Sequence, residues 1–304
     1  MRETRLVFGA LVLLGVLALS ASAQVQRTFV SGQGNDNNPC SLAAPCRTFS
    51  TAIGAVGSGG EVIVLNSAGY GAFPINKAVT VTVPPGVYAG ISVFSGDGIA
   101  INAGSTDVVI LRGLGINQFG GTNGINFASG KALHVENCTI NGFAAGAGIL
   151  ETGSGDLFVK DTIIRNNQTG IDVAPATGTA RASIDQTRLE GNQDGVAVGQ
   201  GGKVSVRNSV ASGSSDAGFL ATCAAGACEL NIDSCLVANN VTGVSANGTS
   251  GGIGTVRISD SEVTDNGTGL LQQGAGVLLS SGSNSVEGNT TANTTGSIGS
   301  YTVR

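Results

Sequence analysis

Apolar residues along this chain recur in short alternating runs punctuated by Gly, Asn, Ser and Thr, and similar stretches align into columns. "DTIIRNNQTGIDV" (161–173), "QTRLEGNQDGVAV" (186–198), "SCLVANNVTGVSA" (234–246) and "DSEVTDNGTGLLQ" (260–272) are versions of one phrase. One apolar column holds Leu133, Leu157, Ala182, Val204, Leu230 and Val256. A second, two residues on, holds Val135, Val159, Ile184, Val206, Ile232 and Ile258. A third holds Ile140, Ile164, Leu189, Ala211, Val237 and Val263. A fourth, each time after a Gly, holds Ile149, Ile171, Val196, Phe219, Val244 and Leu270. Steps along the second column are 24, 25, 22, 26 and 26 residues, the spread of a structural unit whose loops vary.

Period-two alternation in β-branched runs predicts strands. No unit contains a helical-period run long enough for a crossover helix, which excludes βαβ units. The chain must instead coil, each turn laying parallel strands on the turn before at about 4.8 Å spacing. The runs continue upstream through "VIVL" (62–65), "VTVTV" (79–83), "GISVF" (90–94), "VVIL" (108–111) and "NGINF" (123–127). The prediction is an all-β, single-stranded right-handed parallel β-helix of roughly ten coils, a rod about 45–50 Å long. An open rod end would recruit other chains. "RTFSTAIGAV" (47–56) places Phe49, Ala52, Ile53 and Val56 on one face of a short helix that can close the N-terminal end. "TTGSIGSYTVR" at the other end reads as a final edge strand.

The polar words are corner chemistry. Asn167, Asn192, Asn240 and Asn266 share a column, with Ser214 the exception, and their amides can bond from coil to coil as an Asn ladder. We assign them left-handed backbone geometry, and assign Gly170, Gly195, Gly218, Gly243 and Gly269 the turn back into the next strand.

Composition narrows the picture. Gly is 49 of 304 residues, aromatics are 4%, charged residues 12%, and Trp is absent. Net charge is −5 and the isoelectric point about 4.8, which argues against nucleic acid as partner. Residues 1–23 read as a signal peptide: a basic start, an apolar run over 6–20 and "ASA" before Gln24. No later stretch suits a transmembrane segment. The division is therefore signal peptide 1–23, N-terminal lead-in and capping helix 24–61, and β-helix 62–304. A secreted, periplasmic or cell-surface location follows.

"FVSGQGNDNNPCSLAAPCRTFSTAIGAV" (29–56) resembles the N-terminal motif of many secreted right-handed β-helix proteins, on Gly34, Asp36, Pro39, Pro45 and Thr48. This resemblance to the pectate-lyase-like superfamily implies the fold, but not a choice among lyases, hydrolases, epimerases, tailspikes and adhesins. For polygalacturonase-like members it implies N-T-D, D-D and G-H-G motifs, and none is present.

Cys40 with Cys46, and Cys223 with Cys228, are spaced to clip short loops as disulfides rather than to bind metal. Cys138 and Cys235 fall in one column with Thr162, Thr187, Ser209 and Ser261, about 19 Å apart, and are expected to be free thiols. The outward position of the second strand column reads Glu136, Lys160, Asp185, Arg207, Asp233 and Ser259. Alternating sign suits a ladder of cross-strand ion pairs, and Glu136, Lys160, Asp185, Arg207 and Asp233 are also the candidate glycan contacts. No cofactor is expected. Ca²⁺ is the one ion that Asp194 with Asp216, or the 32–38 turn, could hold. The expected function is an exported structural or surface-binding module contacting extracellular or cell-wall polysaccharide. The alternative is a lyase or hydrolase on a uronate-containing glycan, with Lys160 or Arg207 as base and Asp185 or Glu136 helping hold a cation.

Overall fold

The computed structural model describes residues 25–302, so the expected signal peptide lies outside the described residues. The chain winds through three parallel sheets in turn, visiting each once per coil. The first sheet has twelve strands, from Arg27–Val30 to Ile298–Tyr301, and the second and third have ten each. Ten complete coils therefore lie between an opening strand and a closing strand.

All four apolar columns are continuous stacks. Leu133 pairs with Leu157, then Ala182, Val204, Leu230 and Val256 in register, and Val135 likewise leads through to Ile258. Ile140 leads to Val263 in the second sheet and Ile149 to Leu270 in the third. Their side chains are buried almost completely, each Val, Ile or Leu contributing about 1.5–3 kcal/mol of apolar burial.

The corners differ from expectation in two respects. Left-handed backbone sits one residue before each member of the ladder column, Ser214 included, at Asn166, Gly191, Gly213, Asn239 and Asp265. The ladder residue itself is free to aim its amide along the axis. Asn192 Oδ1 accepts from the backbone N–H and side-chain amide of Asn167, both at 3.0 Å. Asn266 does the same for Asn240 at 3.0 and 2.9 Å. The Gly of the fourth column is required by space rather than by φ. A Cβ on Gly195 would stand 2.3 Å from the carbonyl oxygen of Gly218, and one on Gly170 would stand 2.4 Å from that of Gly195.

A second left-handed corner, between the first and second sheets, falls at Asn137, Asp161, Gln186, Asn208, Ser234 and Asp260. The residue after each forms a hydroxyl stack: Thr187 N–H donates to Ser209 Oγ at 3.1 Å, and Cys235 N–H to Ser261 Oγ at 3.1 Å. Cys138 and Cys235 occupy this stack as free, buried thiols. Cys40–Cys46 and Cys223–Cys228 are disulfides, with Cα atoms 4.6 and 6.2 Å apart.

The lid helix spans Phe49–Ala55 and is capped by Thr48, whose side chain accepts the N–H of Thr51. Asp36 Oδ1 holds the approach to it by accepting the N–H groups of Arg47 and Thr48, both at 2.9 Å. The acid of the 32–38 turn is thus engaged in folding the lead-in. Phe49 packs on Tyr70 and Phe73 at 5.2 and 4.5 Å between ring centroids, closing the N-terminal end. Because Arg27–Val30 already pairs with Gly60–Val64, the lead-in belongs to the first sheet, and the 61/62 boundary falls inside a strand. Ile298–Tyr301 is the final edge strand, paired with Val277–Ser281.

Candidate functional site on the first sheet

Alternation along the first sheet sends every second residue outward, as in Ala180–Asp185 and Gly202–Arg207. Parallel register then lines outward residues into three rows. One margin reads Arg112, Glu136, Lys160, Asp185, Arg207, Asp233 and Ser259. The floor reads His134, Phe158, Ser183, Ser205, Asn231 and Arg257. The other margin runs through Asp156, Arg181, Lys203 and Glu229. The sequence-derived candidates Glu136, Lys160, Asp185, Arg207 and Asp233 therefore share one margin.

Their charges do not pair evenly. Arg112 Nε meets Glu136 at 2.7 Å, and Arg207 Nε meets Asp185 at 3.7 Å. Asn208 donates to Asp185 at 2.9 Å, and Ser259 donates to Asp233 at 2.7 Å. On the other margin Lys203 approaches Glu229 at 3.4 Å, and Arg257 reaches the same carboxylate from the floor at 3.4 Å. Lys160 and Arg181 enter no ion pair among the described residues. The unbroken ladder expected from alternating sign is therefore interrupted at Lys160, because both its acidic neighbours turn to an arginine on their far side.

Beside Lys160 the imidazole of His134 stacks on the ring of Phe158, 4.6 Å between centroids and 14° from parallel. These rings, Lys160, Ser183, Asp185 and Arg207 line a recess of about 240 Å³. Further along, Ser205, Asn231, Asp233, Arg257 and Tyr301 line a second of about 410 Å³. The face is basic for so acidic a chain: seven of the twelve described Lys and Arg residues lie on this sheet's strands, against six of nineteen described acids. Reading the charged column alone misses His134, Phe158, Arg112 and Arg181. The column two residues earlier carried the signal for the ring pair.

The groups with shifted acidity lie elsewhere. Burial pushes the thiols of Cys138 and Cys235 up to about 11, which keeps them protonated and unreactive. Glu151 points into the core from the third sheet, stacked between Phe127 and Val173, with neither carboxylate oxygen hydrogen-bonded. Burial, aided by nearby Asp156, raises its pKa to about 9. Asp194 is raised to about 6, chiefly by burial; Asp216 and Asp172 add to this, against the N–H of Ala217 that it accepts. Among the described residues no group of three His, Cys, Asp or Glu side chains is placed to hold a metal ion.

Comparison with known proteins bears on the fold. The family described as "Right handed beta helix region" matches residues 97–291. The crystal structure of pectate lyase Pel9A is similar over 86% of this chain and 71% of its own, at 16% identity and a TM-score of 0.51. A rhamnogalacturonan lyase structure covers 85% of this chain and 74% of its own, at 11% identity and a TM-score of 0.40. At these identities the first likeness is one of fold, and the second is too loose to add to it. No curated protein sequence matches.

Proposed function

The chain belongs to the right-handed β-helix family, and we propose that it is an exported glycan-binding module whose first sheet holds an extended anionic polysaccharide. The observation that carries this reading is Lys160: exposed, outside every ion pair among the described residues, and beside the stacked rings of His134 and Phe158. A uronate polymer offers a sugar face to the rings, carboxylates to Lys160 and Arg181, and hydroxyls to Ser183, Ser205 and Asn231. Export is supported by the basic–apolar–small pattern of residues 1–23 and by two disulfides. Binding without hydrolysis is favoured because Glu136 and Asp185 are engaged by arginines, whereas glycoside hydrolysis needs two carboxyl groups free to exchange protons or attack.

Pectate, the polymer in the name of the similar structure, is the probe. It should retard the protein in affinity electrophoresis at low salt, with the effect fading as salt shortens the screening length. Lys160→Ala and Arg181→Ala should each weaken binding about 2- to 5-fold. No unsaturated product should accumulate. Absence of retardation at low salt overturns the reading, and ultraviolet-absorbing product lost on Lys160→Ala would replace it with a lyase.

A further inference from the structure

The second sheet carries a different surface at its N-terminal end. In Ala68–Gly69, Ala89–Val93 and Leu114–Gln118 the outward positions begin with a row of glycines, Gly69, Gly90 and Gly115, stacked in register. Tyr88, just before the second of these strands, leans forward over that row. A Cβ on Gly90 would stand 2.8 Å from Tyr88 Cε1, and one on Gly115 would stand 3.0 Å from Cε2. The ring thus rests on the bare backbone of two adjacent coils. Its hydroxyl accepts from Asn117 Nδ2 at 3.4 Å, which fixes the direction in which it points. The residue is nonetheless 56% exposed.

At the far end of the same strands, Phe94 and Phe119 stack on one another, 5.4 Å between centroids and 28° from parallel. They are 70% and 60% exposed, which makes Phe94, Phe119 and Tyr88 the three most exposed aromatic rings among the described residues. Between the two aromatic stations the outward row is Ser92, Asn117 and Asn141. No charged side chain lies on the second-sheet strands from Ala68 to Asn141. Arg165 is the first. Asp97, the acid nearest Phe94 in the chain, is occupied by the amides of Asn123 and Asn126 at 2.8 and 2.7 Å.

We infer that this surface is a second glycan site, built for an uncharged polysaccharide and separate from the first-sheet face. Three features select that ligand. Exposed rings held in fixed orientation match the apolar C–H face of a pyranose. Amide and hydroxyl groups between the rings match its equatorial hydroxyls. The lack of charge gives no purchase to a uronate. The Tyr88 ring sits over Gly90, four positions or about 13 Å of strand short of Phe94, so the site suits an oligosaccharide spanning both stations rather than a single sugar. A protein partner would instead be expected to meet a broader apolar patch with a charged rim.

The test is titration with neutral β-1,4-linked oligosaccharides of glucose, mannose and xylose, followed by calorimetry and by tyrosine fluorescence, which no Trp obscures in this chain. At least one series should bind saturably, with affinity rising with chain length up to the span of the site. Raising salt to about 0.5 M should leave binding unchanged, unlike pectate binding to the first sheet. Tyr88→Ala and Phe119→Ala, both at exposed positions, should each reduce affinity about tenfold or more, while Lys160→Ala should have no effect. Gly115→Val, which lifts the ring off its seat, should weaken binding while Tyr88 remains. The inference is overturned if no neutral series binds, or if binding survives both aromatic substitutions. It is equally overturned if the rings mediate concentration-dependent self-association that Phe119→Ala abolishes, with no sugar bound. Because ligand and variants differ from those of the pectate experiment, either reading can fail alone.

Discussion

At position 214 the amide ladder has a gap. Ser214 donates its backbone N–H to Asn240 Oδ1 at 2.9 Å, as a ladder residue should, but its buried hydroxyl has no partner and is too short to serve Asn192 one coil back. Ser214→Asn should let the new amide accept from Asn192 and raise stability by about 1 kcal/mol, read as a higher urea midpoint at unchanged m-value. No gain would mean that the corner, not the ladder, holds this register. Glu151 is the opposite kind of residue, a carboxyl where the stack wants an apolar side chain. Its folded pKa of about 9 lies above the unfolded 4.5, so its folded form stays protonated while the unfolded chain ionises. Below pH 4.5 both states are protonated and nothing is lost. Stability then falls as pH rises towards 9, by at most about 1.4 kcal/mol per pH unit, and levels off above that. Glu151→Leu should therefore be more thermostable than the wild type at pH 8, with the difference closing near pH 4. A pH-independent difference would place the carboxyl in water.

Among the elements, the stacked strands and the lid helix make opposite demands of glycine. Gly195 opens the third-sheet segment where successive coils approach so closely that a methyl would meet the carbonyl oxygen of Gly218 at 2.3 Å. Gly195→Ala should lower stability by about 1–3 kcal/mol through forced separation of adjacent coils. Gly54, in the lid helix, has open space where a methyl would go, with nothing within 4 Å, and needs no unusual φ. Gly54→Ala should gain about 0.5–1 kcal/mol from helix propensity alone. Paired melts of the two variants check both signs, and equal effects would show that space between coils is not what selects glycine in the column.

Over the whole molecule the two ends are treated differently. The N-terminal end is shut by the lid helix and the Phe49, Tyr70 and Phe73 rings. At the C-terminal end the stack becomes polar instead: Leu270 is followed by Thr294 in register, and Ala292–Thr295 is largely exposed. A solenoid's stability is the sum of coil terms and neighbour interfaces, so the last coil has only one neighbour to hold it. In hydrogen exchange the amides of Ser285–Val286, Ala292–Thr295 and Ile298–Tyr301 should exchange first, and those of the central coils only with global unfolding. Uniform protection along the rod would contradict this.

The four apolar columns, the Asn ladder, the two disulfides and the separation of Cys138 from Cys235 could all be read from the linear chain. A parallel coil places like on like, so repetition in sequence becomes adjacency in space. Tertiary structure alone decided that left-handed geometry precedes the ladder Asn and that the column glycines answer to a neighbouring carbonyl. It also decided that Glu151 turns inward, that Lys160 and Arg181 are left without ion-pair partners among the described residues, and that Tyr88 lies on Gly90 and Gly115. These depend on distances across coils and on which of two neighbours an exposed side chain chooses. Such choices are set by the angstrom-scale geometry of the coils, which a pattern of residue types along the chain does not encode.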